Sequence, residues 1–226
     1  MASPEGKQIA LPLLSRAETR VLGVLVEKQR TVPDTYPLTL NALVAGCNQK
    51  TSRDPILELT ESDVQAALDA LKTLSLVVES SGGRVMRYAH NVERVLAVPS
   101  QSVALLAALM LRGPQTVSEL RTSTERLHRF ADASSVEGFL HELESRPAGA
   151  LVAELPRQPG TRETRWTHLL SGAPVIQPTP AASADDDFLA LSEVASLKAN
   201  LARLENELAA LKAIIAKVCA ELGIRA

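Results

Sequence analysis

Apolar residues fall at helical spacing in short stripes along the first 172 positions. Val64, Ala67, Leu68 and Leu71 stand at i, i+3, i+4 and i+7, and the same spacing returns as Val136, Phe139, Leu140 and Leu143. Each set marks one buried helix face. Each is entered through an N-cap residue upstream of its valine, Thr60 in the first copy and Asp132 in the second. Two further helices are predicted before each stripe. Ser15-Arg16-Ala17-Glu18 is a capping box opening a helix to about Lys28, and Leu40, Leu43, Val44 and Cys47 mark a short second one. In the second copy Val103, Leu106, Ala107 and Met110 predict the first helix, and Thr116-Val117-Ser118-Glu119 caps the next.

Behind each stripe the period changes from helical to extended. Leu76-Val77-Val78, the turn Ser80-Ser81-Gly82-Gly83 and the run Arg84 to Tyr88 read as one hairpin, with Gly-Gly supplying the positive φ of a tight turn. Ala150 to Leu155, Pro156 to Thr161 and Arg162 to Leu169 read as another. Helix, helix, helix, hairpin, twice over, predicts an α+β, mostly helical chain built of two tandem winged helix-turn-helix domains. Their expected spans are 13–98 and 99–172, after an N-terminal tail of residues 1–12.

The pattern then changes twice more. Residues 173–187 hold Pro174, Pro178, Pro180, several alanines and an Asp triplet, the composition of an extended linker. Within 188–226, Val194, Leu197, Leu201, Leu204, Leu208, Leu211, Ile215, Val218 and Leu222 alternate spacings of three and four, which is a coiled-coil seam. Glu207 and Lys212 occupy positions for a pair across a parallel homodimer, so dimerisation through this helix is expected.

Composition narrows the class. Of 226 residues 46 % are apolar but only 3 % aromatic, so the cores must be built from Leu, Val and Ala. The formal net charge of -2 excludes capture of nucleic acid by overall charge; any such contact must be local. No apolar stretch approaches the length of a membrane span, and no signal peptide pattern opens the chain, so a cytoplasmic protein without membrane contact is expected. Cys47 and Cys219 form no metal-ligand spacing, and the histidines His90, His128, His141 and His168 are scattered. A non-enzymatic protein without cofactor or metal is therefore expected.

The candidate chemistry lies in a turn. Aligned on their stripes, the first copy has about five more residues than the second between its second and third helices, and the surplus is polar. Asn48, Gln49, Lys50, Thr51, Ser52 and Arg53 occupy the corner of a helix-turn-helix, where amides can pair with adenine, Arg with guanine, and Lys and hydroxyls with phosphate. Cations elsewhere join them as candidate contacts to double-stranded DNA: Arg84 and Arg87 on the first hairpin, Arg162 and Arg165 on the second, Arg121 and Arg126 around the second copy's second helix. The same turn is equally consistent with a local hydrogen-bonded loop in which Asn48 ends the helix in a left-handed conformation. Charge on the third helices opposes DNA contact: Glu61, Asp63 and Asp69 stand against Lys72, and Glu137, Glu142 and Glu144 against Arg146.

These residues also carry a resemblance. Glu27, Lys28, Thr31, Tyr36, Pro37, Leu38 and Thr39, followed by the ungapped run Cys47-Asn48-Gln49-Lys50-Thr51-Ser52-Arg53-Asp54-Pro55, resemble the motif of the YceH family of bacterial proteins. "LLRGPQTVSELR" and "PGTRETRWTHLLSG" resemble that family's second-domain segments. The resemblance implies tandem winged helices, in agreement with the periodicity, and a regulatory role inferred from fold. Two functions follow as expectations: a DNA-associated regulator dimerising through the seam, or a module that binds a protein partner, as in the similarly laid out chromosome-segregation protein ScpB.

Overall fold

The computed structural model describes residues 12–81, 85–157 and 161–172, which belong to one compact unit. The tail before Pro12, the hairpin residues Gly82, Gly83 and Arg84, and everything after Gly172, including the linker and the seam from Val194 to Leu222, lie outside the described residues.

The described fold is α+β and mostly helical. Three helices, α1 (Arg16–Thr31), α2 (Leu40–Cys47) and α3 (Glu61–Thr73), lead into the hairpin β1 (Val77–Ser81) and β2 (Met86–His90). A short α4 (Val92–Leu96) follows, and the same order repeats as α5 (Ser100–Arg112), α6 (Val117–Ser123), α7 (Ala133–Glu144), β3 (Val152–Leu155) and β4 (Arg165–His168). Both hairpins are antiparallel, Glu79 facing Tyr88 in one and Glu154 facing Trp166 in the other. Each is extended by one residue that precedes the second helix of its half. Leu38 exchanges backbone hydrogen bonds with Tyr88 at 3.0 and 2.8 Å, and Gln115 does the same with Trp166 at 3.0 and 2.8 Å.

Helix starts are where the side chains demand them. Ser15 with Glu18, Thr60 with Asp63, and Thr116 with Glu119 form reciprocal capping boxes, and Asp132 accepts from the Ser135 amide. Each cap satisfies first-turn N–H groups that have no partner inside the helix. Caps Thr39 and Thr60 are 21 positions apart and caps Thr116 and Asp132 are 16 apart, which places the five-residue surplus between α2 and α3.

The stripe residues Val64, Ala67, Leu68, Leu71, Val136, Leu140 and Leu143 are buried, with Phe139 partly so. One apolar core runs through both halves, so residues 13–98 and 99–172 are two repeats around shared packing. Its axis is the pair α1 and α5. Residues Thr19 to Val26 of α1 and Ser102 to Leu111 of α5 are buried without interruption, so both helices are covered all round rather than along one stripe. The helices approach closely at Gly23, where a Cβ would stand 3.0 Å from Leu111 Cδ2. Among the described residues, polar ties between the halves include Leu14 N–H to the Leu170 carbonyl at 2.8 Å, Asp54 N–H to the Leu111 carbonyl at 2.8 Å, and Arg146 Nη2 to the Leu96 carbonyl.

Candidate nucleic-acid interface

The polar turn begins where α2 stops, and an α-helix stops with carbonyls that lack partners. Two guanidinium groups supply them. Arg53 donates from Nε and Nη2 to the Gly46 carbonyl at 3.2 and 3.1 Å, and Arg20, reaching across from α1, donates from Nη1 to the Cys47 carbonyl at 3.0 Å. Arg20 Nη2 then holds the far end of the turn through the Pro55 carbonyl at 2.6 Å. The remaining Arg53 donors meet Glu27 in a two-point ion pair (Nη1 to Oε1 3.1 Å, Nη2 to Oε2 2.6 Å), the Ser52 carbonyl at 2.9 Å and Gln49 Oε1 at 2.8 Å. The Arg53 side chain has no solvent exposure. It is therefore not presented to a duplex; its place at base edges is corrected to the centre of an internal clasp.

Asn48 and Gln49 belong to the same clasp. The Asn48 amide donates to the Leu59 carbonyl and accepts from the Leu59 N–H, both at 2.8 Å, so the side chain imitates a peptide group and pins the approach to α3. Asn48 does cap α2, but at φ -93°, not in the left-handed region; the residue of positive φ is Ser52 at 59°. Lys28 Nζ reaches Gln49 Oε1 at 3.4 Å. Lys50 and Thr51 are exposed at the tip. Arg112, from the end of α5, donates to Ser52 Oγ at 2.9 Å, so the surplus residues fasten the first half onto the second.

The electrostatics follow from burial. Burial pushes the Glu27 carboxyl up, but the hydrogen bond and charge of Arg53, with Lys28 beside them, outweigh it and hold Glu27 below the ordinary carboxylate value. Burial and the neighbouring charge of Arg53 pull Arg20 down. Burial pushes the Cys47 thiol up to about 12 against the weaker pull of Arg20 and Arg53, so Cys47 is an apolar filler of the core.

Two hairpin arginines are tied down at the surface in the same way in both halves. Arg87, the residue before Tyr88, donates to the Pro37 carbonyl at 2.8 Å; Arg165, the residue before Trp166, donates to the Pro114 carbonyl at 2.8 Å. Arg165 further makes a bidentate pair with Glu119, both contacts at 2.9 Å. Each arginine thus locks the hairpin to the loop that enters its half's second helix. His90 and His168 close β2 and β4; burial lowers both to about 4, in His90 with the charge of Arg30 adding to it, so both rings are neutral at pH 7.

On the third helices what remains outward is mostly acidic. On α3 the exposed residues include Glu61, Asp63, Ala66 and Asp69, while Lys72 is held by Asp69 at 3.0 Å and Glu79 at 2.6 Å. On α7 they include Glu137, Glu142 and Glu144. Exposed cations stand in both halves, Arg16, Arg30, Lys50 and Arg94 in the first; in the second, Arg121, Arg126 and Arg129 surround the short turn between α6 and α7, and Arg162 lies exposed before β4. Arg84 lies outside the described residues. Arg20 and Glu27 were missing from the sequence reading of the clasp. The signal for Arg20 was present: an arginine at the head of the apolar run of α1, which burial there obliges to find partners for most of its donors.

A family model described as "Protein of unknown function, DUF480" matches residues 14–161. Relatives described as UPF0502 proteins are similar over almost the full chain. That of Dechloromonas aromatica (strain RCB) is 57% identical over 204 residues, covering 90% of this chain and 95% of the relative. The proteins of Methylibium petroleiphilum and Burkholderia multivorans are 57% and 56% identical over 216 and 220 residues, covering 95% and 96% of this chain and 92% of each relative. The chain belongs to the DUF480 family, the YceH-like UPF0502 proteins.

Proposed function

We propose that the chain is a non-enzymatic tandem winged-helix protein that binds a protein partner through the acidic faces of α3 and α7, and that it dimerises through the Val194 to Leu222 seam. The repeated order of three helices and a hairpin, with Leu38 and Gln115 at equivalent places, supports the winged-helix reading. The observation that carries the functional reading is the direction of charge. Arg53 is buried, and Arg87 and Arg165 are tied to backbone carbonyls of the fold at its surface, while Glu61, Asp63, Asp69, Glu137, Glu142 and Glu144 face outward where a DNA-binding protein of this kind sets its helix against phosphates. Such faces suit a basic segment of another protein.

One observation favours DNA instead: Arg121, Arg126 and Arg129 stand together at the helix-turn-helix corner of the second half. Fluorescence anisotropy of labelled duplex fragments at about 50 and about 200 mM salt separates the two readings, because several phosphate contacts lose orders of magnitude in affinity over that range. No binding at the lower salt, together with a protein adduct photo-crosslinked in cells from a probe at Ala66 and lost with Glu61→Lys and Asp69→Lys, supports the protein partner. Steeply salt-dependent binding abolished by Arg126→Ala and Arg129→Ala supports DNA.

A further inference from the structure

The two halves treat the same corner differently. In the first, the extra residues between α2 and α3 include Arg53, which closes on Glu27, Gly46 and Gln49. In the second they are absent, and a crevice of about 300 Å³ opens between α6 and the turn into α7. Arg121, Arg129, Ser118 and Thr122 line it, with Phe130 behind them and Glu125 at one side. Arg129 has neither a hydrogen bond nor an ion pair among the described residues, and Arg121 makes one long bond, to the Ala131 carbonyl at 3.3 Å. Arg121 also lies within electrostatic reach of Asp132, so Arg129 is the cation that an anion in the crevice meets without an ion pair among the described residues.

We infer that this crevice binds a phosphate monoester of a small molecule, held by Arg121 and Arg129. Guanidinium forks match phosphate oxygens in pairs, which a point charge such as lysine does not. The Ser118 hydroxyl is a further donor on the same wall, one helical turn from Thr122, whose own hydroxyl donates to the Ser118 carbonyl at 3.1 Å. Ala133, the first residue of the twelve-residue helix α7, also lines the crevice, so first-turn amides add a favourable partial charge. The volume is at the small end of ligand sites, about 300 Å³, and suits a compact group. Glu125 lines the crevice, Asp132 precedes α7 beside it and Glu137 lies exposed on α7, so a long polyanion meets several carboxylates where a single phosphoryl group meets Glu125. The proposal is independent of the acidic faces of α3 and α7.

The test is a titration of the ¹⁵N-labelled full chain with inorganic phosphate and with phenyl phosphate at constant ionic strength, followed by amide shifts. The expected result is saturable movement of Ser118, Thr122 and Phe130 at pH 7.5. Affinity falls as pH drops below about 6, where the monoester loses its second charge. Arg129→Gln weakens binding about tenfold or more, the usual scale for one charge-assisted hydrogen bond. It does so without lowering Tm, because Arg129 has no hydrogen bond or ion pair among the described residues; Glu125→Gln tightens binding. Linear shifts reproduced by chloride, an Arg129→Gln variant that titrates like the parent, or a DNA duplex that displaces phenyl phosphate with a steep salt dependence would each overturn the assignment.

Discussion

Replacing Arg53 by alanine tests the clasp directly. The variant leaves the Glu27 carboxylate, 17% exposed, with only Lys28 at 3.4 Å, and strips the Gly46 carbonyl of its side-chain donor. Removing one partner of a buried ion pair costs about 3–5 kcal/mol, and the partial exposure of Glu27 places this case near about 3 kcal/mol. At roughly 2–4 °C per kcal/mol for a unit of this size, Tm falls by about 6–12 °C. Arg53→Lys recovers only part of this, since an ammonium cannot meet Glu27, Gly46 and Gln49 from one planar fork. Lys50→Ala, three residues away on the exposed tip, stays within about 0.5 kcal/mol of the parent. Urea unfolding followed by circular dichroism, with the cycle Glu27→Gln, Arg53→Ala and the double variant, gives the coupling between the two groups. A stability loss under about 1 kcal/mol for Arg53→Ala, or an equal loss for Lys50→Ala, would refute the clasp.

Three other outcomes are expected. Gly46→Ala destabilises by about 1–3 kcal/mol in the same urea assay, because the new Cβ would stand 2.6 Å from Cγ1 of the fully buried Val24, an overlap that outweighs the gain in helix propensity. Acidification weakens the fold between pH 6.5 and 4: His90 and His168 are lowered to about 4 while unfolded histidine titrates near about 6.5, so the unfolded state binds more protons in that window. Their contribution is complete above about pH 6.5, and at about pH 5 each has removed about 1–2 kcal/mol; His168→Asn flattens the slope of urea midpoint against pH. Cys47 stays unmodified by maleimide at pH 8 in the native protein and reacts in urea, as peptide mapping by mass spectrometry reports, since burial holds its thiol near about 12.

The candidate site was half legible. Its residues were conspicuous in the sequence because a helical corner seldom needs six polar side chains in succession, and the five-residue surplus between the stripes marked the place. Their direction was not legible. Whether Arg53 faces a duplex or a carbonyl depends on Glu27, 26 positions earlier, and on Arg20 crossing from the same helix, and no local pattern encodes that meeting. The hairpin arginines misled for a similar reason. Arg87 and Arg165 look like hairpin cations free to meet a duplex until the backbone of Pro37 and Pro114 is brought beside them.

Sequence alone determined where helices begin and which face of each is apolar, because caps and i, i+3, i+4 stripes act over one or two turns. It also determined that the unit is repeated, since Thr60 and Asp132 head stripes of identical spacing. Only the tertiary structure decided that α1 and α5 pack as one axis, burying both helices on every side and merging two repeats into a single core. Only it decided the fate of the charges. A guanidinium goes wherever the nearest unsatisfied carbonyls and carboxylates are, and those are supplied by segments distant in the chain whose positions exist only once the core has formed.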